Sequence, residues 1–112
     1  MSELQLQSQC FQWLWNEHPK TRYCFFSVPN GGTRNMREAM AMKASGTVSG
    51  VSDCIFFWQG KMYCLEFKTD VGKQSDKQIL FQDAIRKQGA YYFIVRSFES
   101  FVELVTNIIT NR

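Results

Sequence analysis

The stretch Gly50 to Lys68, GVSDCIFFWQGKMYCLEFK, decides how the rest of the chain must be arranged. Two apolar runs, Cys54 to Trp58 and Met62 to Phe67, are rich in β-branched and aromatic residues and flank Gln59-Gly60, which predicts a β-hairpin closed by a two-residue turn. If Trp58 faces Lys61, counting outward pairs Phe57 with Met62, Ile55 with Cys64 and Asp53 with Glu66, each pair sharing a face. Lys68, two residues beyond Glu66, falls on that face as well. A three-residue loop would undo this register.

Two carboxylates directly across a ladder repel each other, and selection for stability alone disfavours the pairing. A divalent cation removes the objection. Magnesium and manganese take carboxylate, carbonyl and water oxygens, so Asp53, Glu66 and the Phe67 carbonyl form a plausible ligand set with room left for substrate phosphate oxygens. Lys68 would then orient the attacking water or stabilise charge on the phosphorus. The pattern is short, and Glu66 with Lys68 also reads as an ordinary same-face ion pair at a strand end.

A chain of 112 residues, 45% hydrophobic and 15% aromatic, is read as one globular domain over 1–112 and not as a disordered segment. No run reaches the roughly 18 apolar residues of a membrane span, and the N-terminus lacks the basic-then-apolar profile of a secretory signal. Cys10, Cys24, Cys54 and Cys64 have neither CxxC spacing nor His partners, which argues against zinc and for free thiols in a reducing cytoplasm. His18, alone near a helix end, is assigned no function. A net charge of +3 permits a nucleic-acid partner without demanding one. The basic residues are grouped, with Arg34, Arg37 and Lys43 in one segment and Lys73 and Lys77 shortly after Lys68.

Taken in order, Ser2-Glu3-Leu4-Gln5 has capping-box form and opens a helix to about Asn16, with Leu4, Cys10, Phe11 and Leu14 at helical spacing. Glu3 and Gln7 share a face one turn apart, and Glu3 also suits the positive end of the helix. Tyr23 to Val28 reads as a strand, stopped by Pro29-Asn30-Gly31-Gly32, a turn whose backbone N–H groups can meet a phosphate. Thr33 is expected to cap a helix through about Ala44 that carries Arg34 and Arg37 on one face, solvated or phosphate-binding. Ser45 to Gly50 is a loop. The hairpin is apolar on both faces and is therefore expected to be covered on both, in the middle of an α/β sandwich. Ser75 to Gln78 forms a second capping box, opening a helix with Ile79, Leu80, Ala84 and Ile85 inward and Gly89 at its end. Tyr91 to Val95 follows as a strand parallel to Met62–Lys68, and Phe98, Phe101, Leu104, Val105, Ile108 and Ile109 mark a last amphipathic helix.

This order of elements, with an Asp followed by Glu-x-Lys on the hairpin, resembles the PD-(D/E)XK nuclease superfamily and within it the VRR-NUC family. The resemblance spans most of the chain: Glu3 with Gln7, Pro29 to Gly32 followed by Arg34, Gly50-Val51-Ser52-Asp53, Glu66-Phe67-Lys68, and Ser75 with Gln78. One departure is Ser52, where the family usually has proline, and a looser loop is expected there. The resemblance implies a restriction-endonuclease-like α/β/α sandwich whose central mixed sheet carries the hairpin. It implies Asp53, Glu66 and the Phe67 carbonyl as ligands of Mg2+ or Mn2+, Lys68 as the catalytic lysine, Glu3 and Gln78 as assisting residues, and no nucleotide cofactor. Asn30, Arg34, Arg37 and Lys73 are the candidate DNA contacts.

The activity implied is hydrolysis of DNA phosphodiesters by a structure-selective endonuclease. Small stand-alone relatives resemble phage proteins that act as homodimers on branched DNA, including four-way junctions, in the cytoplasm of a bacterial or phage-infected cell. The alternatives are a flap or general nuclease, or a DNA-binding or assembly module that does not cut. A restriction-type enzyme is disfavoured in so short a chain. Trp13, Trp15, Met36, Met40 and Met42 are the residues offered for a two-fold interface, and each can equally finish the monomer's own core.

Overall fold

The computed structural model describes residues 1–29 and 35–111. Four helices, α1 (Glu3–Glu17), α2 (Met36–Ala44), α3 (Asp76–Lys87) and α4 (Phe98–Thr110), accompany four strands, β1 (Phe25–Ser27), β2 (Cys54–Trp58), β3 (Lys61–Phe67) and β4 (Tyr91–Val95). The strands form one mixed sheet in the order β1-β2-β3-β4, with β4 parallel to β3 and the other pairs antiparallel. This is the expected restriction-endonuclease-like α/β arrangement.

The hairpin has the register that the turn chemistry dictates: Trp58 pairs with Lys61, Phe57 with Met62 and Ile55 with Cys64. Gln59 and Gly60 both have positive φ, 50° and 80°, as a two-residue turn matched to strand twist requires. Ser2 with Gln5 and Ser75 with Gln78 both close full capping boxes. The β3–α3–β4 crossover forces the parallel pairing, because antiparallel neighbours would need only a short turn.

One face of the sheet is closed by α1 and α4. Leu6, Cys10 and Leu14 from α1 and Phe101, Val105 and Ile108 from α4 meet Phe25, Cys54, Phe56, Leu65, Phe67 and Val95. At about 25 cal/mol per Å2 of apolar surface, this layer is the main source of stability. Leu4 is not part of it; Leu6, four residues before Cys10, takes the inward place and leaves Leu4 exposed.

The other face carries a smaller cluster, Ile55, Cys64 and Tyr92, covered by Phe81 and Ile85 of α3 with Val28 and Met62. Two expectations change here. The inward side of α3 is Phe81 and Ile85, while Ile79, Leu80 and Ala84 lie exposed, Leu80 at 64%. Ile79-Leu80-Phe81 is an unbroken apolar run, so helical periodicity admitted either side. The hairpin is also covered on this second face only in part, over Ile55 and Cys64. Phe26 and Phe57 are 46% and 52% exposed, because α3 spans only the β3–β4 side and no residue of α2 is buried.

Two boundaries move as well. Tyr23 has φ of 72°, a left-handed conformation incompatible with a strand, so β1 starts at Phe25. The cap of α2 is Asn35, whose side chain accepts the Glu38 N–H at 2.8 Å. Thr33 itself, with Asn30, Gly31, Gly32 and Arg34, lies outside the described residues.

Candidate active site

Asp53 stands one residue before β2, where the hairpin register carries it alongside the end of β3. Its Oδ2 accepts the Phe67 backbone N–H at 2.7 Å, and its own carbonyl accepts the Val28 N–H at 2.8 Å. The carboxylate is thus locked between β1 and β3. Burial pushes the Asp53 pKa up, the Phe67 amide pulls it down, Glu66 and Glu3 raise it, and Lys68 lowers it. Those influences identify the neighbours: two more carboxylates and one ammonium.

Glu66 is 1% exposed, a rare environment for a carboxylate. Tyr92 on β4 donates its phenolic O–H to Oε1, whereas Oε2 is buried with no hydrogen-bond partner. The Lys68 Nζ lies 3.8 Å from that oxygen, too far for a hydrogen bond, and Lys68 is itself 9% exposed. A buried anionic oxygen that has an ammonium at 3.8 Å but no hydrogen bond is only partly satisfied.

Glu3, in the first turn of α1, is half-buried. Its Oε2 lies 3.2 Å from where a Cβ on Gly72 would fall, and the Lys68 Cδ lies 3.4 Å from the same point. Gly72 therefore belongs to a turn that passes closely over both side chains. Arg96 holds this turn, donating to the Thr69 and Gly72 carbonyls at 2.6 and 2.9 Å. Clefts open on both sides of the first turn of α1. One of about 430 Å3 is lined by Glu3, Leu4, Gln7, Ser27, Val28, Pro29 and Asp53. The other, about 670 Å3, is bordered by Lys68, Asp70, Val71 and Arg96.

No protein-family model and no curated protein matches the chain. A solved structure described as a VRR_NUC domain protein does, with a TM-score of 0.75 over 97% of this chain and 88% of that one, at 15% identity. The chain has the VRR_NUC fold.

On this VRR_NUC fold Asp53, Glu66, Phe67 and Lys68 meet where β2 begins and β3 ends, with Glu3 of α1 facing them. Gln78 is placed differently. Its side-chain oxygen accepts the Ser75 N–H at 2.8 Å, which makes it the reciprocal partner of the Ser75 cap of α3. Arg37 and Lys73 are exposed, on α2 and in the loop before α3, and Asn30 and Arg34 lie outside the described residues. Ser52, in place of proline, is fully buried and donates to the Cys54 carbonyl at 3.2 Å, so the loop is tied down where looseness was expected. Trp13 packs edge-on to Phe98 and Phe101 and belongs to the core.

Tyr92 and Arg96 were missed by sequence reasoning. Tyr92 reads as one more aromatic of an apolar strand and Arg96 as a surface charge; no local spacing links either to the hairpin. Among the described residues no three His, Cys, Asp or Glu side chains form a group that could hold a metal. Asp53 and Glu66 would suit an ion that keeps several waters, as magnesium does, and a cation there would satisfy the Glu66 Oε2, which lacks a hydrogen bond.

Proposed function

We propose that this protein is a divalent-metal-dependent endonuclease of the PD-(D/E)XK type and a member of the VRR-NUC family, selective for branched DNA. The observation that carries the reading is the Glu66 carboxylate, buried with its Oε2 beside Lys68 but without a hydrogen bond, and next to an Asp53 tied to Phe67. In this reading Asp53, Glu66 and the Phe67 carbonyl hold Mg2+ or Mn2+. When bound, the ion supplies Lewis-acid polarisation of the scissile phosphate and charge neutralisation.

The protein's own groups do the rest. Lys68, held by its buried stem, orients the attacking water and donates to the phosphate oxygen that gains charge. Glu3, facing the narrower cleft, takes up the proton that the water releases. Gln78 assists by fixing the start of α3. Arg37 and Lys73, together with Asn30 and Arg34, neutralise backbone phosphates.

The 1–112 chain acts as one nuclease domain, in the cytoplasm. No described helix is long and apolar enough to cross a membrane. The assembly is a two-fold homodimer, which matches the paired scissile strands of a four-way junction. Exposed Met36 and Met40 and the open sheet face at Phe26 and Phe57 supply its apolar surface.

The test is cleavage of labelled duplex, single-stranded, flap, splayed and four-way DNA with Mg2+, Mn2+ or chelator, beside an Asp53→Asn control, with light scattering for assembly. Metal-dependent cutting of junctions well above duplex by a dimer is the expected result. A monomer that prefers flaps or cuts all forms equally would make it a flap or general nuclease. Binding without cutting in any metal would make it a DNA-binding module.

A further inference from the structure

We propose that Tyr92 is a positioning residue for the candidate metal ligand Glu66, occupying Oε1 so that only Oε2 is presented to a divalent cation. The proposal rests on the metal-site reading above.

The placement comes from the parallel pairing of β3 with β4. Cys64 pairs with Tyr92 and Glu66 with Ile94, so Tyr92 is the diagonal neighbour of Glu66 on the same face of the sheet. Diagonal neighbours are separated by roughly 7–8 Å, a distance that a tyrosine side chain can bridge. Tyr92 is 4% exposed, and its ring packs beside Phe81 of α3, with ring centroids 6.2 Å apart. The phenol reaches Glu66 Oε1, and the Gln74 side chain lies beside it. Gln74 donates to the Gln82 Oε1 at 2.6 Å. Polar side chains, Gln82 of α3, Gln74 and Tyr92, thus line the approach to the carboxylate.

This arrangement has a chemical consequence. A carboxylate with both oxygens available can chelate a small cation and use two of its coordination positions. With Oε1 held by a donor, Glu66 offers one oxygen, leaving positions for water and phosphate. The same bond helps hold the orientation of the buried carboxylate. Hydrogen-bonding partners of metal-ligating carboxylates typically contribute about 10–100-fold to metal affinity.

The experiment titrates the DNA-free protein with Mn2+ alone and counts free Mn2+ by electron paramagnetic resonance, with thermal melts recorded in parallel. Wild type, Glu66→Gln, Tyr92→Phe and Phe81→Leu are compared. Phe81→Leu loosens the same layer without touching the carboxylate. Tyr92→Phe is expected to weaken Mn2+ binding about tenfold, with Phe81→Leu destabilised but binding as wild type does. Gln74→Ala, expected to weaken binding severalfold, serves as the second variant should Tyr92→Phe not fold. Wild-type affinity in Tyr92→Phe, or an equal loss in Phe81→Leu, overturns the positioning role while the metal site stands. If Glu66→Gln binds Mn2+ as wild type does, or wild type binds none, the metal-site reading itself fails and this proposal with it.

Discussion

The Oδ2 of Asp53 accepts the backbone N–H of Phe67 at 2.7 Å, across strands fourteen residues apart in sequence. The bond ties a side chain to the strand carrying Glu66 and Lys68, so the spacing of the three charged groups is set by sheet geometry. It also makes Asp53 and Glu66 neighbours at close quarters, a cost that the metal-free protein must bear.

Replacing Asp53 by Asn should therefore abolish cleavage and stabilise the metal-free protein. The folded pKa of Asp53 is raised from 3.8, chiefly by burial, so its stabilising contribution is complete below that pH and is lost as pH rises through the folded value. The gain of Asp53→Asn in chelator should be absent below about pH 3.8 and grow above it. By neutral pH it should amount to about 2–4 °C in Tm, as expected for relief of a like-charge cross-strand pair. Melts across pH decide it.

Lys68→Met removes the one cation beside two carboxylates. Stability in chelator should fall by about 3 kcal/mol, as when one partner of a buried pair is deleted. Mn2+ should recover part of the loss by replacing the missing positive charge. Cleavage should drop at least about 100-fold. Denaturant melts with and without Mn2+ check the first two statements and single-turnover assays the third.

Gly50 has φ of 89°, and a Cβ there would fall 2.3 Å from the Lys77 carbonyl oxygen. Gly50→Ala is strained by its backbone and blocked by the first turn of α3. The loop leading to Asp53 must shift, at a cost of about 2 kcal/mol or more. Activity should fall with stability, and urea melts measure the latter.

Gln78→Glu separates capping from chemistry. Glu serves the third helical position as well as Gln does, so stability should hold within about 0.5 kcal/mol. Since the Gln78 oxygen is engaged by Ser75, cleavage across a metal titration should also match wild type.

The thiols offer a solution test of the core. Burial pushes Cys10 and Cys54 up to about 12 and raises Cys64, while Cys24 is only half-buried. Because the thiolate is the reactive form, a disulfide reagent at pH 8 should modify Cys24 alone in the native protein and all four cysteines in denaturant. Fast native labelling of Cys10 or Cys54 would contradict the packing of α1 against the sheet.

What short-range chemistry controls was legible in the sequence. Gln59-Gly60 set the turn and thereby the register of Asp53 near Glu66, two Ser-x-x-Gln boxes marked where α1 and α3 begin, and a strand-helix-strand order required β4 to lie parallel to β3. Each depends on bonds between residues a few positions apart, or on chain handedness, and needs no knowledge of distant partners. Only the tertiary structure decided which side of an apolar run is buried. Leu6 was chosen over Leu4, and Phe81 over Leu80, by the surface each helix meets. The same holds for Tyr92 on Glu66, Arg96 on the Thr69–Gly72 turn and Gly50 against α3. These contacts join residues far apart in sequence, and local periodicity carries no term for them.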